Sequence, residues 1–296
     1  MEVVLSQLFT GLAVSAVLLL IALGLTFTFG QMGVINMAHG EFIMAGAYTA
    51  YVLQQVLGAP AAGFTFLAAV PLAFLLAGVA GLALERTLLR RLHGRPLDTL
   101  LVTWGVSLIL QQLARDVFGA PNVQLIAPSW LQGGARVGLV ALPWSRLFIT
   151  LLVGLAVVGI GGFLGHLPQG RRMRAVMQSR QLAAVSGIST PRVDGTTFLI
   201  GSGLAGVAGV ALTLLGPVGP SLGTFYLVDA FLVVIVGGLG QLRGAVMAAV
   251  GIGVLNAFVE YGSQASIAKA IVFAAVVAFL QFRPQGLVAL RTRALT

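Results

Sequence analysis

Long uncharged stretches alternate with short polar gaps along the whole chain. Runs of roughly 17–25 apolar residues have the length of helices that cross a bilayer. Leu8–Gly30 is the first. Phe42–Leu84 carries no charge and is long enough for two helices, with a break at Leu57-Gly58-Ala59-Pro60. Thr99–Ala114 is a shorter run between Asp98 and Arg115, and Leu147–Leu164 follows. Gly195–Leu215 closes on Gly216-Pro217; Ala230–Leu239, Ala245–Val259 and Ile271–Leu280 complete the set. The pattern predicts an all-α polytopic transmembrane bundle of 8–9 spans, forming a single membrane domain over residues 1–296. The count turns on Gln241-Leu242-Arg243, read either as a tight hairpin or as a helix interruption.

Composition supports this reading. Hydrophobic residues make up 58% of the chain and charged residues 8%, against about 25% charged in soluble domains. The 39 glycines fit helices that approach closely in lipid. There is no cysteine, so disulfides and thiolate metal sites are excluded.

The net charge of +9 points to topology rather than to nucleic acid, because the cations fill gaps between apolar runs. Arg86, Arg90, Arg91 and Arg95 form one cluster. Arg171, Arg172, Arg174, Arg180 and Arg192 form another, and Arg283, Arg291 and Arg293 lie in the tail. All three are expected in the cytoplasm. The gap from Phe118 to Trp144, with Arg136 as its cation, is expected outside. Counting back through three spans puts the N-terminus outside. The first apolar run is too long for a signal-peptide core and lacks a basic flank, so no cleaved leader is expected.

Two glycine-rich polar segments interrupt the apolar pattern. The first, Gly30 to Glu41, sits directly against apolar helix. Irregular backbone at membrane depth survives only where protein or a wet cavity surrounds it. This predicts a broken helix beside the translocation path, lined by Gln31, Asn36, His39 and Glu41. The second, Gly216 to Asp229, leads into the run ending Gly237-Gly238-Leu239-Gly240. Asp229 reads either as the cap of that run or as a pathway residue. Interruptions in corresponding positions of two repeat-like halves mark a transporter core.

The basic loop from Arg171 to Asp194 contains a predicted short helix, Ala175–Val185, closed by Gly187 as its C-cap. Spacing alone leaves open whether this is a solvated loop or a docking helix for a cytoplasmic partner.

Other patterns exclude chemistry. Gly201-Ser202-Gly203-Leu204-Ala205-Gly206 fits GxGxxG but lies inside an apolar span and follows no strand. Gly201, Ala205 and Gly209 form instead a small-residue packing stripe. Lys269 is the only lysine and no P-loop surrounds it, so no ATP site is expected. His39 and Glu41 alone are too few ligands for a metal. No catalytic constellation appears, and the chain is expected to be a transport subunit, not an enzyme.

Met32-Gly33-Val34-Ile35-Asn36-Met37-Ala38-His39-Gly40-Glu41-Phe42 resembles the signature of the ATP-binding-cassette importer permeases for branched-chain amino acids and urea, and Gly219 to Gly244 resembles their second signature. Leu182-Ala183-Ala184 followed by Gly187 is similar to the loop that docks in the ATPase, although its usual glutamate is replaced by Leu182. The resemblance covers nearly the whole chain. It implies a multi-pass protein of the bacterial inner membrane that couples to cytoplasmic ATPases through Arg174, Ala183, Ala184 and Gly187. It further implies a second permease subunit and an extracytoplasmic solute-binding protein. ATP belongs to the partner, and no cofactor is expected on this chain. Thr103-Trp104-Gly105-Val106-Ser107-Leu108-Ile109-Leu110-Gln111-Gln112 and Pro128-Ser129-Trp130-Leu131-Gln132-Gly133-Gly134 resemble the urea-type members. They imply urea or a short-chain amide as solute, with branched-chain amino acids as the alternative. A neutral solute also fits spans without an interior arginine, with Lys269 near a span end. An ATP-independent channel or secondary transporter is the rival of another class.

Overall fold

The computed structural model describes residues 2–58, 61–137 and 140–288. Eleven α-helices follow in chain order: α1 (Glu2–Met32), α2 (His39–Leu57), α3 (Ala62–Thr87), α4 (Pro96–Phe118), α5 (Trp144–His166), α6 (Pro168–Gln178), α7 (Arg180–Val185), α8 (Thr190–Leu212), α9 (Leu222–Gly237), α10 (Leu242–Gly262) and α11 (Ala265–Phe282). A small antiparallel hairpin, β1 (Gly134–Val137) and β2 (Val140–Pro143), precedes α5.

The apolar runs become nine membrane helices among the described residues, and six of these are long and apolar enough to cross a bilayer unaided. The remaining three are α2, whose first turn is polar, and the shorter α9 and α11. Gln241 belongs to a tight turn between α9 and α10, its N–H bonded to Gly238 O at 3.1 Å, so the hairpin reading holds. The predicted break after Leu57 is also present: α2 stops there, with Gly58 in the left-handed region at φ 79°, whereas Ala59 and Pro60 lie outside the described residues.

Helices α1 and α8 form the centre of the bundle. At 31 residues, α1 is about 46 Å long, more than a hydrocarbon core of roughly 30 Å. From Leu20 to Leu25 it is buried almost completely. Helix α8 is buried continuously from Gly201 to Leu212. The expected stripe explains this. A Cβ on Gly201 would stand 2.7 Å from the carbonyl oxygen of Gly24 in α1, and one on Gly209 would overlap the backbone of Ile43 in α2. Ala205 between them is wholly buried. Small side chains thus bring three backbones together where larger ones would hold them apart.

The arginine clusters share one end of the bundle. Arg90 Nη2 donates to Pro191 O at 3.3 Å, joining the gap after α3 to the start of α8. The segment after α11 reaches the same end, where Leu287 N donates to Val236 O at 2.7 Å. Arg283 lies in this segment; Arg291 and Arg293 lie outside the described residues. The loop between α4 and β1 occupies the opposite end and pairs through Val123 with Val218, in the loop between α8 and α9. The positive-inside rule makes the arginine end cytoplasmic. Helix α1 ends there, through Gln31, and so starts at the opposite end of the bundle.

Candidate functional site

Helix α1 stops at Met32 because Gly33 takes φ 63°, a conformation that residues with a Cβ rarely adopt. The chain then climbs back into the bundle. Ala38 N donates to Asn36 Oδ1 at 3.1 Å and His39 N to Asn36 O at 3.3 Å. These local bonds satisfy donors that a helix start leaves free. Helix α2 therefore begins at depth: His39 Nε2 lies 3.2 Å from the carbonyl oxygen of Ile21, in the middle of α1.

A matching interruption arrives from the other side. The loop after α8 enters from the outer end, and α9 begins where Gly223 packs on Gly40, backbone against backbone. A Cβ on Gly40 would stand 2.7 Å from Gly223 O. From this crossing α2 runs outward, to Gln54, which donates to Ile126 O at 2.9 Å. Helix α9 runs inward, to Gly237. Two half-helices thus start inside the bundle and diverge, the arrangement expected of repeat-like halves.

Helix α4 supplies polar partners to the crossing. Thr103, Ser107 and Gln111 recur every four residues and so share one face. Thr103 Oγ1 accepts from Met37 N at 3.1 Å. Glu41 Oε1 accepts from Ser107 Oγ at 2.8 Å and from Gln111 Nε2 at 2.9 Å, and Gln111 Nε2 also lies 3.2 Å from Thr224 Oγ1 of α9. One carboxylate thereby joins α2 to α4, and Gln111 extends the link to α9. Asn36, His39 and Glu41 are sealed in this conformation, at 0%, 0% and 1% exposure. Asn36 Nδ2, His39 Nδ1 and Glu41 Oε2 have no hydrogen-bond partner among the described residues. Glu41 also borders an apolar cavity of about 410 Å³ between α2, α3 and α4. The sequence reading passed over Ser107 and Gln111 as site residues; their spacing on an otherwise apolar span was the available signal.

Gln31 lies apart from this crossing. Its Nε2 donates to Asp194 Oδ1 at 3.0 Å, and its Oε1 accepts from Thr197 Oγ1, at the cytoplasmic end of α8. Arg180, the first residue of α7, donates to both oxygens of Asp194, at 3.0 and 2.5 Å. His93 Nε2 stands 3.8 Å from the same carboxylate. Buried Asp194 thus fastens α7 and α8 to the end of α1, and reaches toward the turn before α4.

The predicted helix from Ala175 to Val185 is interrupted, because Ser179 adopts an extended conformation and caps α7 by accepting from Leu182 N at 3.3 Å. Gly187 closes α7 as expected, with φ 82°. Ile188 N donates to Ala183 O and Gly187 N to Ala184 O, both at 3.0 Å, a Schellman motif. Ala183 faces inward, while Arg174, Ala184 and Gly187 are exposed. Leu182 and Val185 present apolar side chains at 64% and 83% exposure.

Asp229 sits in the second turn of α9, seven residues after the helix starts, so it caps nothing. Lys269 Nζ donates to its Oδ2 at 3.2 Å. Both residues line a cavity of about 910 Å³ bounded by α1, α5, α9, α10 and α11. Lys269, near the start of α11 as its place close to a span end implies, thus sets a cation beside Asp229 on the lining of this cavity. No group of three or more metal-binding side chains occurs among the described residues.

Residues 7–280 match the family model described as branched-chain amino acid transport system, permease component. The chain is 30% identical over 293 residues to the high-affinity branched-chain amino acid transport system permease protein BraD of Pseudomonas aeruginosa, covering 96% of this chain and 95% of that protein. It is 28% identical over 291 residues to the permease protein LivH of Escherichia coli K12, covering 96% and 94%. It is 28% identical over 295 residues to LivM of the same organism, covering 91% and 67%. No solved structure matches it.

Proposed function

Because the chain belongs to the family of permease components of branched-chain amino acid transport systems, we propose that it is the membrane subunit of an ATP-driven importer and that its solutes are branched-chain amino acids. One observation carries the importer reading over an ATP-independent channel. Helix α7 exposes Leu182 and Val185 at the cytoplasmic end, while Arg180 ties it to buried Asp194 on the central helix α8. Exposed apolar side chains on a solvent-facing helix suit a protein partner, and an ion pair buried at its Asp194 end links that helix to the bundle.

In this reading a cytoplasmic ATPase closes on ATP and presses α7, and the displacement reaches α1 and α8 through Asp194. The crossing of α2 and α9 lies along the path, with Asn36, His39, Glu41 and Asp229 as its polar groups. The chain acts as a single membrane domain beside a second permease subunit, and similarity to both LivH and LivM favours a paralogue in that place. A solute-binding protein meets the outer end.

The substrate reading rests on the named relatives, each of a branched-chain amino acid system. Urea or a short-chain amide, expected from two motifs, has no such support. Its physical argument is weakened by Lys269, which stands in α11 against Asp229.

Reconstitution with the cognate ATPases, second permease and binding protein tests both levels. Saturable leucine uptake that requires ATP is the expected result. Uptake that persists without ATP would overturn the importer reading; ATP-dependent urea uptake that leucine does not inhibit would overturn the substrate.

A further inference from the structure

We propose that the cavity between α1, α5, α9, α10 and α11 is a binding site for a zwitterionic α-amino acid with an apolar side chain, an inference that rests on the amino-acid reading above. At about 910 Å³ it falls within the roughly 300–1,000 Å³ usual for small-molecule sites. Its charged lining consists of two cations, Arg146 and Lys269, and two anions, Asp229 and Glu260. The set is formally neutral, as is the ligand.

Charges on membrane helices are expensive and characteristically face a wet cavity or one another. Lys269 and Asp229 face one another and line the cavity. Lys269 and Asp229 pair at 3.2 Å, yet their side chains keep 58% and 24% of their exposure. The pair is therefore open to exchange partners: a ligand carboxylate for Lys269 and a ligand ammonium for Asp229. Leu222 and Ile252 line the same space and supply an apolar wall that urea has no use for. Leu222 also begins α9, beside the Gly40–Gly223 contact, so the cavity adjoins the crossing of the half-helices.

Three variants in the reconstituted complex test the site: Asp229→Asn, Lys269→Gln, and the two together. Removing either charge is expected to lower leucine uptake at least tenfold. The double variant is the control for a purely structural pair, because an amide–amide hydrogen bond can still join α9 to α11. Continued loss of uptake in a normally assembled double variant supports a binding role, and recovery to wild-type uptake overturns it. A direct readout uses Val228→Cys, which adds a single thiol to a cysteine-free chain at a cavity-lining position. Leucine is expected to slow its alkylation at least fivefold and urea to leave it unchanged. Absence of protection by leucine in a complex that transports leucine overturns the site while the permease reading stands. Protection by phosphatidylethanolamine but not by leucine assigns the cavity to lipid and likewise overturns it. A wild-type complex that transports no leucine overturns the amino-acid reading on which the site rests, and leaves the permease family assignment standing.

Discussion

Arg180 holds Asp194 with both arms of its guanidinium, at 3.0 and 2.5 Å, across the boundary between an exposed cytoplasmic helix and the most deeply buried helix of the bundle. Asp194 is 1% exposed and the Arg180 side chain 36%. Removing the cation leaves the carboxylate buried with Gln31. Breaking a fully buried pair costs about 3–5 kcal/mol, and the partial exposure of Arg180 reduces this to roughly 1–3 kcal/mol. Arg180→Met should lower the thermal midpoint in detergent. It should also reduce transport per ATP hydrolysed more than hydrolysis itself. An unchanged ratio of transport to hydrolysis would remove the pair from the coupling route.

Gly187 tests the same route without touching a charge. A β-carbon in the left-handed conformation costs about 1–2 kcal/mol, and proline cannot adopt φ 82° at all. Gly187→Pro should therefore disturb the end of α7 while the membrane helices still insert. The expected phenotype is a complex whose ATPase activity no longer responds to solute-loaded binding protein. A normal response would show that the geometry of this turn does not matter.

Two glycines predict opposite outcomes. Gly40→Ala forces a β-carbon onto Gly223 O at 2.7 Å, an overlap of backbone that costs about 1–3 kcal/mol or more. Gly105, within α4, has nothing within 4 Å of the corresponding position. Gly105→Ala should gain up to about 1 kcal/mol through helix propensity. Thermal unfolding of the two variants in detergent should move in opposite directions. A neutral Gly40→Ala would mean that the half-helices are not in contact.

Orientation is open to single-cysteine labelling on this cysteine-free background. Arg91→Cys and Arg172→Cys should resist an impermeant thiol reagent in intact cells and react once the cells are permeabilised. Gln132→Cys, exposed in the loop before β1, should react from outside. Labelling of Arg172→Cys in intact cells would invert the topology.

The architecture was legible because hydropathy alone separates helix from gap in lipid. Run lengths, arginine gaps and the small-residue stripe on α8 each transferred directly to the fold. Tertiary partners were less legible. Gln31 adjoins the Asn36 segment in sequence, but α1 continues through it to the cytoplasmic end, where the bond to Asp194 forms. Asp229 looked like a helix start because a polar residue preceded an apolar run. The helix begins earlier, at Leu222, and takes in Phe225, Tyr226 and Leu227, of which Leu227 is buried and Phe225 exposed. Lys269 looked peripheral by its place near a span end. Only the packing of α11 against α9 brings it to Asp229.

The seam between the half-helices also bears on how firmly they are held. Gly40 meets Gly223 through main chain alone, so no side-chain rotamer stands between the two elements at that contact; the side-chain link runs beside it, from Glu41 through Gln111 to Thr224. Resistance at that point comes from a few van der Waals contacts, each worth only about 0.1–0.2 kcal/mol. A larger residue at either position would put a side chain into this contact and push the two backbones apart.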